Sequence, residues 1–379
     1  MHMKSREAAI VAAGCSGPLA ISPHLSYKEM TFEAARRAYS QVSIDPRKDV
    51  DSFIACEEDL VEGTSITDEY APDQMGGAQR SVCTVTQDGI NALAQAYMQI
   101  VAGIAQIAVI ESHVKMSNVR NKELLYNMAM DPYIEREFLG DGLPLAALEM
   151  RRYMHAYSVS EEDIALVAVK NKGNGLTNPR ATFAGAYTTD EAMNSKEIWS
   201  PLRSVYVSKP ADGAVVLVLA GRDRARQLTD SPVWIEGVGW FSDTSYIALR
   251  DLEVANYARG AARMAYRMAG IENPAKWAQF AEVDDTLAHK ELQHLEALGI
   301  FEPGEAAEVT KKGETARNGS FPVNLSGGSL AEGDLGDTGA LLRTLEAFEI
   351  IRGGRFERGI VQSWRGLPSA SGSVMVLGE

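Results

Sequence analysis

The chain has 379 residues, 45% apolar and 23% charged, enough for two or three packed substructures around a large core. Its 37 Lys+Arg against 51 Asp+Glu leave a net charge of −14, which excludes nucleic acid and anionic membrane surfaces as natural partners. Three cysteines at irregular spacing (Cys15, Cys56, Cys83) form neither a disulfide framework nor a zinc signature, so no metal site is expected. No apolar run approaches the roughly 20 residues of a membrane span. Met1 to Arg6 lead into an apolar strand without a signal-peptide pattern, and a cytoplasmic location is expected.

In chain order, Ala34-Ala35-Arg36-Arg37-Ala38-Tyr39 reads as helix and Phe53-Ile54-Ala55-Cys56 as strand. Ser81 to Val85 reads as a strand, Thr86 to Gly89 as a tight turn, and Ile90 to Ile100 as a helix. Residues 117–206 differ in character, with scattered charge and loop signals at Gly140-Asp141-Gly142 and Asn178-Pro179. Asp212 to Ala220 then reads as a continuous buried strand. From Val233 onward the early pattern returns.

That return is an internal duplication. Ala34 to Tyr39 recurs as Ala261-Ala262-Arg263-Met264-Ala265-Tyr266, and an isoleucine follows each tyrosine at five residues, Ile44 and Ile271. At fourteen residues after each tyrosine a strand-like run opens, at Phe53 and at Phe280. Gly89 opens one helix and Gly339 another, each after a strand-like run, the second being Pro322 to Leu325. The chain therefore reads as two related α/β halves. The first covers 1–116 and resumes at 207–230, an inserted loop domain occupies 117–206, and the second half covers 231–379.

Several local patterns, in order along the chain, resemble the sterol-carrier-protein-x-like branch of the thiolase superfamily. They are Val114-Lys115-Met116, Asn178-Pro179, Ser195-Lys196-Glu197 and Lys209-Pro210-Ala211-Asp212-Gly213-Ala214. Further on, Ala281-Glu282-Val283-Asp284-Asp285 with Glu291-Leu292 resembles E-x-H-D-x-F-x-x-x-E-L, and Pro322 to Gly328 resembles P-V-N-P-S-G-G. The resemblance implies a five-layer αβαβα sandwich, a homodimer, a coenzyme A thioester as substrate with no permanently bound cofactor, and pairing with a small zinc-ribbon/OB-fold protein.

The four catalytic elements of that family are all altered. Thr86 stands where the resemblance implies a nucleophilic cysteine. Asp284 stands at the oxyanion-hole histidine, and Asp334, in a loop one residue shorter, replaces the G-H-P histidine. Ser369-Ala370-Ser371-Gly372-Ser373 replaces the second cysteine. Cys83 reaches the elbow only with a three-residue insertion, where a helix N-terminus would lower its pKa. The Thr86 backbone N–H, with a second donor at Gly372, is the expected oxyanion site. Asp284 and Asp334, facing one pocket, would repel each other and yield a general base, with Asp337 as substitute. His113 and His289 are further bases, and Ser326-Gly327-Gly328 is the expected border of the pantetheine arm. His294 is read as a surface residue, and Tyr246 as a packing aromatic.

This pattern favours non-covalent, retro-aldol-type cleavage of a C–C bond near a thioester. One alternative is a true thiolase working through Cys83. Another is a non-catalytic subunit that lends the fold to a complex.

Overall fold

The computed structural model describes residues 7–59, 67–139 and 142–379; Met1 to Arg6 and the Gly140-Asp141 loop signal lie outside them. Eleven strands are formed among the described residues: β1 (Ala8–Leu19), β2 (Ser52–Cys56), β3 (Ser81–Val85), β4 (Ile107–Lys115), β5 (Glu197–Trp199), β6 (Leu202–Arg203), β7 (Asp212–Gly221), β8 (Val233–Ser242), β9 (Phe280–Glu282), β10 (Arg358–Trp364) and β11 (Ser371–Gly378). Nine join in one sheet, in the order β3-β2-β4-β7-β1-β8-β11-β10-β9, while β5 and β6 make a separate hairpin.

The order is that of two copies placed back to back. From the centre outward the first half runs β1-β7-β4-β2-β3 and the second β8-β11-β10-β9. They meet where Ala9 pairs with Trp234 and Ile10 with Val233. The counterpart of β3 in the second half is the Pro322 to Leu325 run, which the sequence suggests as a strand. It is reduced to one parallel bridge between Ala281 and Val323. Pro322 has no N–H to give a ladder, and Asn324 turns at a φ of 50°.

Helices cover both faces of each half. The outer helix Tyr27–Val42 lies on β1 so closely that a Cβ on Gly14 would meet the Ala34 carbonyl at 2.3 Å. Its repeat, Asn256–Ala269, lies on β8, where a Cβ on Gly239 would meet the Ala261 carbonyl at 2.2 Å. The duplicated Ala-Ala-Arg-x-Ala-Tyr motif thus supplies the small residues for both contacts. Between the two half-sheets run the first elbow helix (Gly89–Val101) and the second (Thr338–Arg352), sharing a core with Ile54, Ile110, Leu217, Ile235 and Met375. The layers are therefore helix, sheet, helix pair, sheet, helix, the expected αβαβα sandwich. Helices Leu143–Tyr157 and Glu161–Gly175, with the β5–β6 hairpin, lie in the chain between β4 and β7. Among the described residues no helix is long and apolar enough to cross a membrane.

Candidate active site at the elbow junction

Both elbow helices begin at one place, because a Cβ on Gly89 would meet Leu341 Cγ at 2.5 Å. The first helix is capped by Asp88, whose Oδ1 accepts from the Asn91 N–H at 2.9 Å. Its other oxygen accepts from Ser363 Oγ at 2.7 Å, tying the cap to β10. The Gly89 N–H donates to the Asp337 carbonyl at 3.2 Å, so the cap of one helix leans on the entry of the other. Asp334 precedes by three residues. Its Oδ1 accepts from the Gly336 N–H at 2.9 Å, and its backbone exchanges bonds with Lys209 and Ala211.

Three carboxyls therefore act on one another here. Burial, then the charges of Asp88 and Asp334, push the half-buried Asp337 well above the ordinary carboxylate range. Burial also raises Asp88, against the hydrogen bonds from Ser363, Asn91 and Ser373. The arrangement favours the protonated form of Asp337, close enough to the half-buried Asp334 to be raised by its charge.

The other expected site residues do not gather at this junction. Thr86 is exposed and stands two residues before the cap, so it is neither cap nor neighbour of a base. The Gly89 and Asn91 N–H groups, the helix-end donors nearest to it, are already taken by Asp337 and Asp88. Cys83 is exposed on the edge strand β3, with its sulfur 3.9 Å from Gln99 Nε2. Gln99 is ten residues into the elbow helix, about 15 Å from its N-terminus. Partial burial raises the Cys83 thiol pKa, opposite to the shift a nucleophile needs.

Asp284 has a different role from the one its position suggests. It is buried, its Oδ2 accepts from Arg343 Nη2 at 2.6 Å, and its Oδ1 accepts from the Thr286 N–H at 3.0 Å. Both oxygens are engaged, and its charge acts on Asp285, Tyr257, Lys290 and His294 instead of on Asp337. Arg343 is the residue that sequence reasoning missed. It lies in the second turn of the second elbow helix and brings a guanidinium to the buried acid, with Ser329 Oγ as its other acceptor.

A second buried network lies behind Asp284. His294 is fully buried, not at the surface: its ring is enclosed by the helix Ala288–Ala297 and the outer helix Asn256–Ala269. His294 Nδ1 is 2.8 Å from the Asp284 carbonyl, which only accepts, so Nδ1 carries the hydrogen. Nε2 must then accept from the Tyr257 hydroxyl at 2.8 Å, and that oxygen accepts from Lys290 Nζ at 3.3 Å. Burial lowers the His294 pKa to about 3, in keeping with this neutral tautomer. Lys290 also pairs with Glu149 at 2.6 Å and sits 4.6 Å above the Trp364 ring. Burial would raise Glu149, but Lys290 and His289 outweigh it and bring the carboxyl down to about 2. His289 is fully buried, 3.7 Å from Glu149, with a pKa lowered by burial, and belongs to this network. A small cavity of about 20 Å³ beside it is lined by Glu149, Arg250, Tyr257, Lys290, Trp364 and Ala370. Tyr246 is half exposed beyond it.

The glycine-rich segments serve packing. Gly372 lies within β11, registered with Trp364 on one side and Phe241 on the other, and is no turn donor. A Cβ there would meet the Ser363 carbonyl at 2.4 Å. Ser326, Gly327 and Gly328 are buried too. Ser326 Oγ donates to Glu282 at 2.6 Å, and a Cβ on Gly328 (φ 60°) would meet the Asp285 carboxylate at 2.4 Å. Gly327, at φ 102°, packs against Gly175. His113 lies on the face of β4 turned to the outer helix Tyr27–Val42, with Tyr27 stacked on its ring, and so away from the elbows.

Burial also raises Glu282 to about 8 and Asp285 to about 7. A carboxyl with a raised pKa binds its proton more tightly in the native state. Its contribution to stability is thus present below the ordinary carboxylate range and is lost as pH rises through about 8. The Tm of the wild type is expected to fall between pH 6 and pH 9, and to fall less in Glu282→Gln; equal slopes would contradict this.

Comparison with known proteins agrees with the architecture. The family described as "Thiolase C-terminal domain-like" matches residues 239–377. An acetyl-CoA acetyltransferase of Methanothermobacter thermautotrophicus is 34% identical over 253 residues, which are 65% of this chain and 65% of the relative. A steroid side-chain-cleaving aldolase of Thermomonospora curvata is 26% identical over 347 residues, 86% of this chain and 85% of the relative. The solved "Ltp2-ChsH2(DUF35) aldolase" superimposes with a TM-score of 0.84 at 24% identity, covering 98% of this chain and 97% of that one. With the duplicated αβαβα sandwich and its paired elbow helices, these matches make the chain a member of the thiolase superfamily.

Proposed function

We propose that the chain is an acyl-CoA C–C lyase that cleaves a 3-hydroxyacyl thioester by a retro-aldol reaction without an acyl-enzyme. The observation that carries this reading is the carboxyl trio at the elbow junction, where burial and neighbouring charge favour the protonated form of Asp337 beside Asp334, with no thiol at the helix start. In this scheme Asp334 removes the 3-hydroxyl proton. The new C=O bond at C3 expels the C2–C3 pair into the thioester as an enolate. Asp337, in its protonated form, donates a hydrogen bond to the developing enolate oxygen. The proton held by Asp334 then passes to C2, leaving an aldehyde or ketone and a shorter acyl-CoA.

The names of the aldolase relatives support this chemistry, and that of the acetyltransferase relative supports a coenzyme A thioester as substrate. A true thiolase is disfavoured by Cys83, which lies beside Gln99 with a raised pKa. Cys83→Ala is therefore expected to keep turnover within about two-fold, since surface changes remote from a site cost little. Intact-mass spectrometry after acyl-CoA incubation should find no adduct on either form. An adduct lost in Cys83→Ala would restore the thiolase reading.

The assembly belongs to the same proposal. Among the described residues β3 is an edge strand, with Ser81 and Cys83 exposed, and an edge of this kind suits a second copy. The two-part name of the Ltp2-ChsH2(DUF35) structure supports a small zinc-ribbon/OB-fold partner as well. Light scattering of the purified chain, alone and with that partner, checks both.

A further inference from the structure

We infer that Glu332 and Glu346 form a proton-dependent latch, which fastens the loop at residues 176–188 to the second elbow helix and releases it as pH rises. The loop joins the helix Glu161–Gly175 to the helix Thr189–Met193, in the chain between β4 and β7. Glu332 ends the short helix Gly328–Glu332, and Glu346 lies in the third turn of the second elbow helix. Both acids are buried, at 1% and 5% exposure.

One amide of the loop meets both of them. Asn178 Oδ1 accepts from the Arg180 N–H at 3.0 Å, which turns the amide nitrogen to the acids. Asn178 Nδ2 then donates to Glu332 Oε1 at 3.1 Å, to Glu346 Oε1 at 3.2 Å and to the Ser326 carbonyl at 3.0 Å. Two hydrogens serve three acceptors there, too few to satisfy two carboxylates. Arg180 does not make up the difference for Glu332. Its Nε donates to Glu346 Oε1 at 2.6 Å and its Nη2 to Glu349 Oε2 at 2.6 Å. The two acids also hydrogen-bond each other, which carboxyls do only when one carries a proton. That proton belongs to Glu332, since Arg180 holds Glu346 in its charged form.

The charges around the pair set the direction of the switch. Burial, then the charge and hydrogen bond of Glu346 and the charge of Glu282, push Glu332 well above the ordinary carboxylate range, against Arg180. Glu349 faces the cluster from the same elbow helix. Cys15 of β1, which also feels Arg37 of the outer helix, is pushed up by burial to about 11 and stays neutral. A carboxyl raised in this way gives stability that is present below the ordinary range and lost as pH rises through its native value. Once Glu332 ionises, two carboxylates face one amide and repel. The loop is then held by backbone contacts such as the Phe183 N–H on the Ala331 carbonyl, at 2.7 Å.

Amide hydrogen exchange of the full chain, followed by mass spectrometry on peptides from residues 176–188, tests this independently of turnover. After correction for the intrinsic rate, protection in wild type is expected to fall at least about tenfold from pH 6.5 to pH 9, since opening linked to one proton grows up to tenfold per pH unit. Glu332→Gln keeps a neutral donor to Glu346, so its protection should stay flat, with circular dichroism checking that it folds. Glu282→Gln should keep the wild-type fall, which separates Glu332 from the neighbour that titrates at about 8. Protection in wild type that does not change with pH overturns the inference, and this arm needs no variant to fold. An undiminished fall in Glu332→Gln, or a flat profile in Glu282→Gln, overturns it as well.

Discussion

Asp334→Asn is expected to lower kcat for 3-hydroxyacyl-CoA cleavage by about 10²- to 10⁴-fold, the usual contribution of a positioned general base. The residue is half-buried, and its carboxylate accepts from the Gly336 N–H, which an asparagine oxygen can still do. Stability and coenzyme A binding should therefore change little, so that the loss appears in kcat and not in KM. Asp337 gives the complementary result. Burial with Asp88 and Asp334 holds it above the ordinary range, and activity needs its neutral form. The rate is thus expected to fall as pH rises through that raised pKa. Asp337→Asn keeps a neutral donor and should lose the alkaline limb while retaining more turnover than Asp337→Ala. An Asp334→Asn enzyme that turns over at the wild-type rate would exclude this base.

The second large effect is structural. Arg343→Met leaves Asp284 buried without its cation, and breaking one side of a buried pair costs about 3–5 kcal/mol. Chemical denaturation should show a loss of that size. Adding Asp284→Asn to the same chain should recover part of it, because an amide needs no counter-charge. If Asp284 were instead a base open to solvent, Arg343→Met would cost little stability and Asp284→Asn alone would abolish turnover. Equal stability of wild type and Arg343→Met would overturn the pairing described here.

Much of the fold was legible because its signals are local. The repeated Ala-Ala-Arg-x-Ala-Tyr motif encodes a close helix-on-strand contact in each half, at Gly14 and Gly239. The run from Gly213 to Gly221 is apolar throughout because both faces of β7 are buried. Pro322 to Leu325 was overread as a strand: its apolar pattern suits one, but Pro322 and the left-handed Asn324 reduce it to a bridge.

The site was less legible, since pairing across the sandwich leaves no spacing to read. Nothing around Asp284 announces that Arg343, 59 residues later, will neutralise it. The same holds for His294, whose neutrality depends on Tyr257 and on a carbonyl ten residues earlier. Asp334 and Asp337 stand close in sequence, yet their interaction with Asp88 appears only when the two elbow helices meet.

The most direct test of the central claim is a single incubation of the wild-type protein with a panel of 3-hydroxyacyl-CoAs. Products are followed by chromatography and the protein by intact-mass spectrometry. Equimolar aldehyde or ketone and shortened acyl-CoA are expected, with the protein mass unchanged at every time point. Cleavage that proceeds through an acyl adduct on the protein would contradict it.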